Sequence, residues 1–99
     1  MVDDTLLQTR LVRVRGRVQG IGYRDACIAQ ARSRSITGWV RNRMDDSVEA
    51  LLQGTPAQLD AMCDWMENDM PDALVDGMDV TEVRPPFPHF DWFEARPTE

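Results

Sequence analysis

Hydrophobic positions recur along this chain with two periods, and each change of period marks an element. Val12 and Val14 alternate with Arg13 and Arg15, the period of a strand, and this first strand extends from about Gln8 to Arg17. From about Arg24 to Arg34 there is neither Gly nor Pro, and Cys27, Ile28 and Ala31 recur at helical spacing. Period two returns over Thr37 to Arg43, with Gly38, Val40 and Asn42 on one face and Trp39, Arg41 and Arg43 on the other. Met44-Asp45-Asp46-Ser47 reads as a hairpin turn and Val48 to Gln53 as a third strand, ended by Gly54. Thr55-Pro56-Ala57-Gln58 has the form of a helix start, with Thr as N-cap, Pro in the first turn and Gln reaching back. The helix it opens runs to about Asn68 and buries Leu59, Met62, Cys63 and Met66, spaced i, i+3, i+4, i+7. After a loop at Asp69 to Asp72, a fourth strand lies within Leu74 to Arg84, with Met78 and Val80 alternating and Asp76-Gly77 as a point of interruption or bulge. Pro85-Pro86-Phe87-Pro88 cannot pair inside a sheet, and Phe90 to Ala95 forms a short last strand.

This order, β-α-β-β-α-β plus a short C-terminal strand, predicts an α+β fold. It is the split β-α-β, ferredoxin-like α/β sandwich: an antiparallel sheet with two helices on one face and right-handed crossovers. In this reading strands one and three are adjacent and parallel at the centre. The expected organisation is a flexible N-terminus at 1–6, one domain at 7–96 and a polar tail at 97–99. Ninety-nine residues, 42% hydrophobic and 28% charged, suffice for one self-sustaining core. No apolar run approaches the ~20 residues that span a bilayer, so no membrane partner is expected. The acidic start Met1-Val2-Asp3-Asp4-Thr5 has no signal-peptide pattern, and Cys27 and Cys63 read as buried thiols; both point to the cytoplasm. A monomer is the default expectation.

Charge narrows the chemistry. The net charge is −6, a field that repels nucleic acid. Yet Arg10, Arg13, Arg15, Arg17, Arg24, Arg32 and Arg34 crowd the first third, while beyond Asp45 only Arg84 and Arg96 oppose the acids. A small anion could therefore find a positive site on an acidic protein. Alternating Arg13, Arg15 and Arg17 also fit the solvated face of an antiparallel sheet. With His89 as the single histidine and the two cysteines far apart in sequence, no metal-ligand cluster is predicted.

The stretch with most chemical content is Gly16-Arg17-Val18-Gln19-Gly20-Ile21-Gly22-Tyr23-Arg24, a strand-to-helix turn. Glycine admits positive φ, consecutive N–H groups can then form an anion-binding nest, and the first amides of the next helix lack internal partners. Arg24 adds a planar fork suited to two oxygens of one phosphate or carboxylate. The plain alternative is a glycine turn with a surface arginine. A P-loop is excluded because the chain has no lysine, and a dinucleotide fingerprint because Asp25 stands where its third glycine belongs. Asn42 has two readings: an amide facing the helices at a strand end, which needs a partner, or a simple turn residue before the hairpin.

The glycine-rich stretch, then Gly38-Trp39-Val40-Arg41-Asn42, then Val48-Glu49, resemble the acylphosphatase family in order and separation, over about Leu11 to Glu94. The resemblance implies hydrolysis of the carboxyl–phosphate bond of acyl phosphates, to a carboxylate and inorganic phosphate, without metal or cofactor. It implies that the loop Arg17, Val18, Gln19, Gly20, Ile21, Gly22, Tyr23 and Arg24 binds the phosphoryl group and that Asn42 positions the attacking water. Departures lie around these positions: Asp46-Ser47 in place of an Asp-Gly hairpin, Asp69-Met70-Pro71-Asp72 before strand four, and Trp92 at an aliphatic position. Two other readings remain at this stage. One is a non-catalytic module that binds phosphate or carboxylate ligands through the same loop. The other is a ferredoxin-like nucleic-acid binder, which Trp39 permits and the net charge disfavours.

Overall fold

The computed structural model describes residues 7–99, and the expected flexible terminus at 1–6 lies outside them. Seven elements follow in order: β1 (Gln8–Arg17), α1 (Tyr23–Ser33), β2 (Thr37–Asn42), β3 (Val48–Gly54), α2 (Pro56–Asn68), β4 (Leu74–Val83) and β5 (Phe93–Ala95). The strands form one sheet in the order β4-β1-β3-β2-β5. This α+β architecture is consistent with the ferredoxin-like arrangement, with a fifth strand added at the β2 edge.

Two expectations are corrected. β1 and β3 are adjacent but antiparallel, with Val12 opposite Ala50 and Val14 opposite Val48. The helical crossover returns β2 in the direction of β1, and the tight hairpin then reverses β3 against both. The sheet is also mixed, because β5 lies parallel to β2 after a long connection. β5 itself is shorter than expected, three residues from Phe93.

Register sorts the central strands into two faces. Val12, Ala50 and Val40 form one row across β1, β3 and β2, and Val14, Val48 and Asn42 form the next. The valines and Ala50 are fully buried, in one cluster with Tyr23, Cys27 and Ala31 of α1 and Leu59, Met62, Cys63, Trp65 and Met66 of α2. Ile28 is only partly buried against that cluster. α2 begins as its sequence predicts: Gln58 N–H donates to Thr55 Oγ1 and Thr55 N–H to Gln58 Oε1. Both thiols are free and buried, and burial pushes that of Cys27 up to about 12. Along the β1–β4 pair, the register steps from Arg15 opposite Gly77 to Gly16 opposite Val75. Asp76 is left without a partner in that ladder, a bulge where the sequence marked one.

The other face carries three rows of a different kind: Thr9, Gln53 and Thr37; Leu11, Leu51 and Trp39; Arg13, Glu49 and Arg41. Gln53 is almost fully buried, donating to Thr9 Oγ1 and Pro88 O and accepting from Phe90 N–H. It thereby holds the proline-rich connection over the sheet. Trp39 is covered by the guanidiniums of Arg41 and Arg96, at 4.7 and 5.2 Å from its ring centroid. Glu49, 5% exposed, sits between Arg41 at 2.8 Å, Arg13 at 3.3 Å and Arg43 at 3.5 Å. Removing that carboxylate leaves three guanidiniums facing one another. Arg13 is partly solvated, so the cost falls between that of an exposed and a buried pair. Glu49→Gln is expected to lower unfolding stability by about 2 kcal/mol, read from the urea midpoint at unchanged m-value.

Candidate active site

Beyond Arg17 the chain leaves β1, and Val18 turns fully into the core while Ile21 packs partly against it. These two apolar anchors hold the loop down at both ends of Gln19-Gly20. Between and beyond them Gly20 (φ 77°) and Gly22 (φ 81°) take left-handed conformations, and the space over both α-carbons is open. The two glycines thus satisfy the turn and leave the backbone approachable from outside. Gly22 is the N-cap of α1 and no side chain caps the helix. The first helical bond runs from Ala26 N–H to Gly22 O. The amides of Tyr23, Arg24 and Asp25 therefore have no carbonyl ahead of them in the helix.

Tyr23 points the other way. Its ring is buried, 6.2 Å from that of Trp65, and its hydroxyl donates to Met66 O at 2.6 Å. Burial raises its phenol far above the ordinary value. Its contribution to the loop is an amide and a fixed start for α1.

Asn42 ends β2 in the row of Val14 and Val48, on the helix side of the sheet. It thus takes the helix-facing placement, and it also directly precedes the hairpin. Its carbonyl accepts from Glu99 N–H at 3.2 Å, and Glu99 O accepts from Met44 N–H at 3.2 Å, so the chain's end lies along this strand end. The hairpin that follows is closed by Arg43 N–H to Ser47 O at 2.8 Å, with Asp46 left-handed at φ 73°. Asp45 accepts from both the amide and the hydroxyl of Ser47, which hold its carboxyl below the usual range.

Val18, Gln19, Gly20, Gly22, Tyr23, Arg24, Asp25 and Asn42 line one pocket of about 240 Å³. That is below the roughly 300–1,000 Å³ of clefts for drug-sized ligands. Arg17 and Ile21 stand apart from it. Arg17 lines an adjoining cleft of about 470 Å³ with Gly16, Val18, Gln19, Asp46, Leu74 and Asp76. Ile21 serves the core. Asp25, at the pocket edge, was not singled out from the sequence; its place in the first turn beside Arg24 was the available signal. Among the described residues, neither the Arg24 guanidinium nor the Asn42 amide group makes a side-chain hydrogen bond or ion pair within the protein, so both keep their capacity for a ligand. His89 lies near Phe87, outside the pocket lining. No group of three or more metal-ligating side chains occurs among the described residues.

Comparison with known proteins bears on the same stretch. The acylphosphatase family model matches residues 10–94. "Acylphosphatase 1" of Ralstonia nicotianae is 67% identical over 96 residues, 97% of this chain and 94% of that protein. Among solved structures, an acylphosphatase from Coxiella burnetii superposes with TM-score 0.87 at 25% identity, over 94% of this chain and 96% of the other. The acylphosphatase from Bacillus subtilis gives TM-score 0.82 at 36% identity, over 91% and 98%. With the glycine loop, the open helix start and Asn42 on one pocket, and a match spanning nearly the whole chain, this protein belongs to the acylphosphatase family.

Proposed function

We propose that this chain hydrolyses acyl phosphates to a carboxylate and inorganic phosphate, with the loop amides and Arg24 on the phosphoryl group and Asn42 on the water. The observation that carries the residue roles is the pocket itself. It joins the helix-start amides with a guanidinium and a carboxamide that have no side-chain partner among the described residues, beside the Asp25 carboxylate at its edge, in a volume suited to a small anion.

The chemistry needs little more. The leaving group is a carboxylate whose conjugate acid has a pKa of about 4, so it departs without a general acid. The transition state is loose, with charge on the three equatorial oxygens. Backbone N–H groups of the loop and the first turn of α1 donate to those oxygens, and Arg24 spans two of them with its fork. These donors are fixed by Val18, Ile21 and the two left-handed glycines before substrate arrives. Asn42 accepts a hydrogen bond from the water through Oδ1 and donates one to it through Nδ2, holding the water in line with the leaving oxygen. Orientation of this kind supplies several kcal/mol of the barrier. The water's proton passes to a phosphate oxygen of the substrate. The whole site comes from one chain, so a monomer suffices.

Hydrolysis of benzoyl phosphate with EDTA present tests the reading. Arg24→Ala and Arg24→Lys should each lose about 10²-fold or more in turnover, since lysine offers a point charge in place of a fork. Asn42→Ala should lose about 10²-fold in kcat and still bind inorganic phosphate. A folded wild-type protein that binds phosphate without turnover would instead be an anion-binding module.

The rate against pH should contain the substrate's own phosphate ionisation and little from any protein side chain titrating near neutrality, and His89→Gln should leave it unchanged. A profile that lost a limb in His89→Gln would reject proton transfer to the substrate. Tyr23→Phe separates backbone from side-chain roles within the loop. It should keep turnover and phosphate affinity while losing about 1–2 kcal/mol of stability in urea, the cost of leaving Met66 O unpaired.

A further inference from the structure

The carboxamide of Gln19 leaves the loop and enters the β2–β3 hairpin. Its Nε2 lies 2.9 Å from Arg43 O and 2.9 Å from Ser47 O. Both partners are carbonyl oxygens, so the NH2 end faces them and both of its donors are used. The Ser47 carbonyl also closes the hairpin by accepting from Arg43 N–H, and Arg43 directly follows Asn42. Among the described residues, no other side-chain hydrogen bond joins the loop at 16–24 to the hairpin at 42–48.

We infer that Gln19 is a positioning residue whose side chain fixes the spacing between the phosphate loop and Asn42. The inference rests on the roles proposed above for that loop and for Asn42. In-line attack requires water, phosphorus and leaving oxygen on one axis. The phosphorus is placed by the loop after β1 and the water by the end of β2, and β3 separates those two strands. The β2–β3 ladder ends at Asn42 opposite Val48, beyond which Met44 to Asp46 are exposed. Loops and hairpin ends are where local opening concentrates. The two bonds of Gln19 span that gap directly and hold the backbone one residue past Asn42. Its side-chain donors are therefore spent on protein carbonyls, and its share in phosphate binding is confined to its backbone amide.

Gln19→Met keeps the length and removes both donors. In the folded variant kcat on benzoyl phosphate should fall by about 10- to 100-fold, the cost of a misplaced water. Inhibition by inorganic phosphate should change by no more than about twofold, and in the Asn42→Ala background the substitution should change the residual rate by no more than about twofold, the scatter expected of additive sites. A merely structural role would persist without Asn42. Wild-type kcat in Gln19→Met overturns the inference. So does a loss of phosphate affinity as large as the loss of kcat and present with or without Asn42, which would make the side chain a phosphate ligand. If Gln19→Met fails to fold, the same readings are taken on Gln19→Asn, one methylene too short to reach both carbonyls. Asn42→Ala with wild-type turnover overturns the site reading and this inference with it. Asn42→Ala inactive beside a fully active Gln19→Met overturns this inference alone.

Discussion

The site depends on the direction of two strands that never touch. α1 carries the chain from the end of β1 to the start of β2, so the two run parallel with β3 between them. Both therefore end at the same side of the sheet, about 9–10 Å apart, two strand spacings. One end releases the glycine loop and the other presents Asn42. β3 starts from that same side, which brings the hairpin within reach of Gln19. Had β1 and β3 run parallel, the loop and Asn42 would leave opposite ends of the sheet.

Core packing then fixes where the loop stands. Val18 and Ile21 are held by the core, and Tyr23 is locked between Trp65 and Met66 at the start of α1. Between these anchors lie Gly20 and Gly22, whose α-carbons face open space, and Gln19, whose side chain turns to the hairpin. A small pocket lined by amides thus arises from the same residues that close the core at this end.

Most of the other arginines of this acidic protein are engaged away from the pocket. Arg13, Arg41 and Arg43 surround Glu49, Arg15 meets Asp79, Arg10 meets Asp60, and Arg41 and Arg96 cover Trp39. Among the described residues Arg24 has no such partner and lines the pocket. The net charge of −6 belongs to the chain as a whole, while the pocket is lined by the Arg24 guanidinium, the start of α1 and the Asp25 carboxylate, with Arg17 in the adjoining cleft.

Features that depend on near neighbours in the chain could be read from the sequence. The alternation of β1 and β2, the capping box at Thr55, the bulge at Asp76 and the left-handed glycines of the loop each follow from a few consecutive residues, because strand period, caps and φ are local properties. The paired motifs around Gly16–Arg24 and Gly38–Asn42 indicated the family for the same reason. Only the tertiary structure decided the antiparallel setting of β1 on β3, the parallel place of β5, and the face that Asn42 takes. It also turned Tyr23 into the core, spent the Gln19 amide on Arg43 and Ser47, and gathered three arginines on Glu49. Each of these rests on partners more than 20 residues away or on which neighbouring strand wins a row. A polar side chain is identical in sequence whether it faces solvent, substrate or a distant carbonyl, and only packing chooses among them.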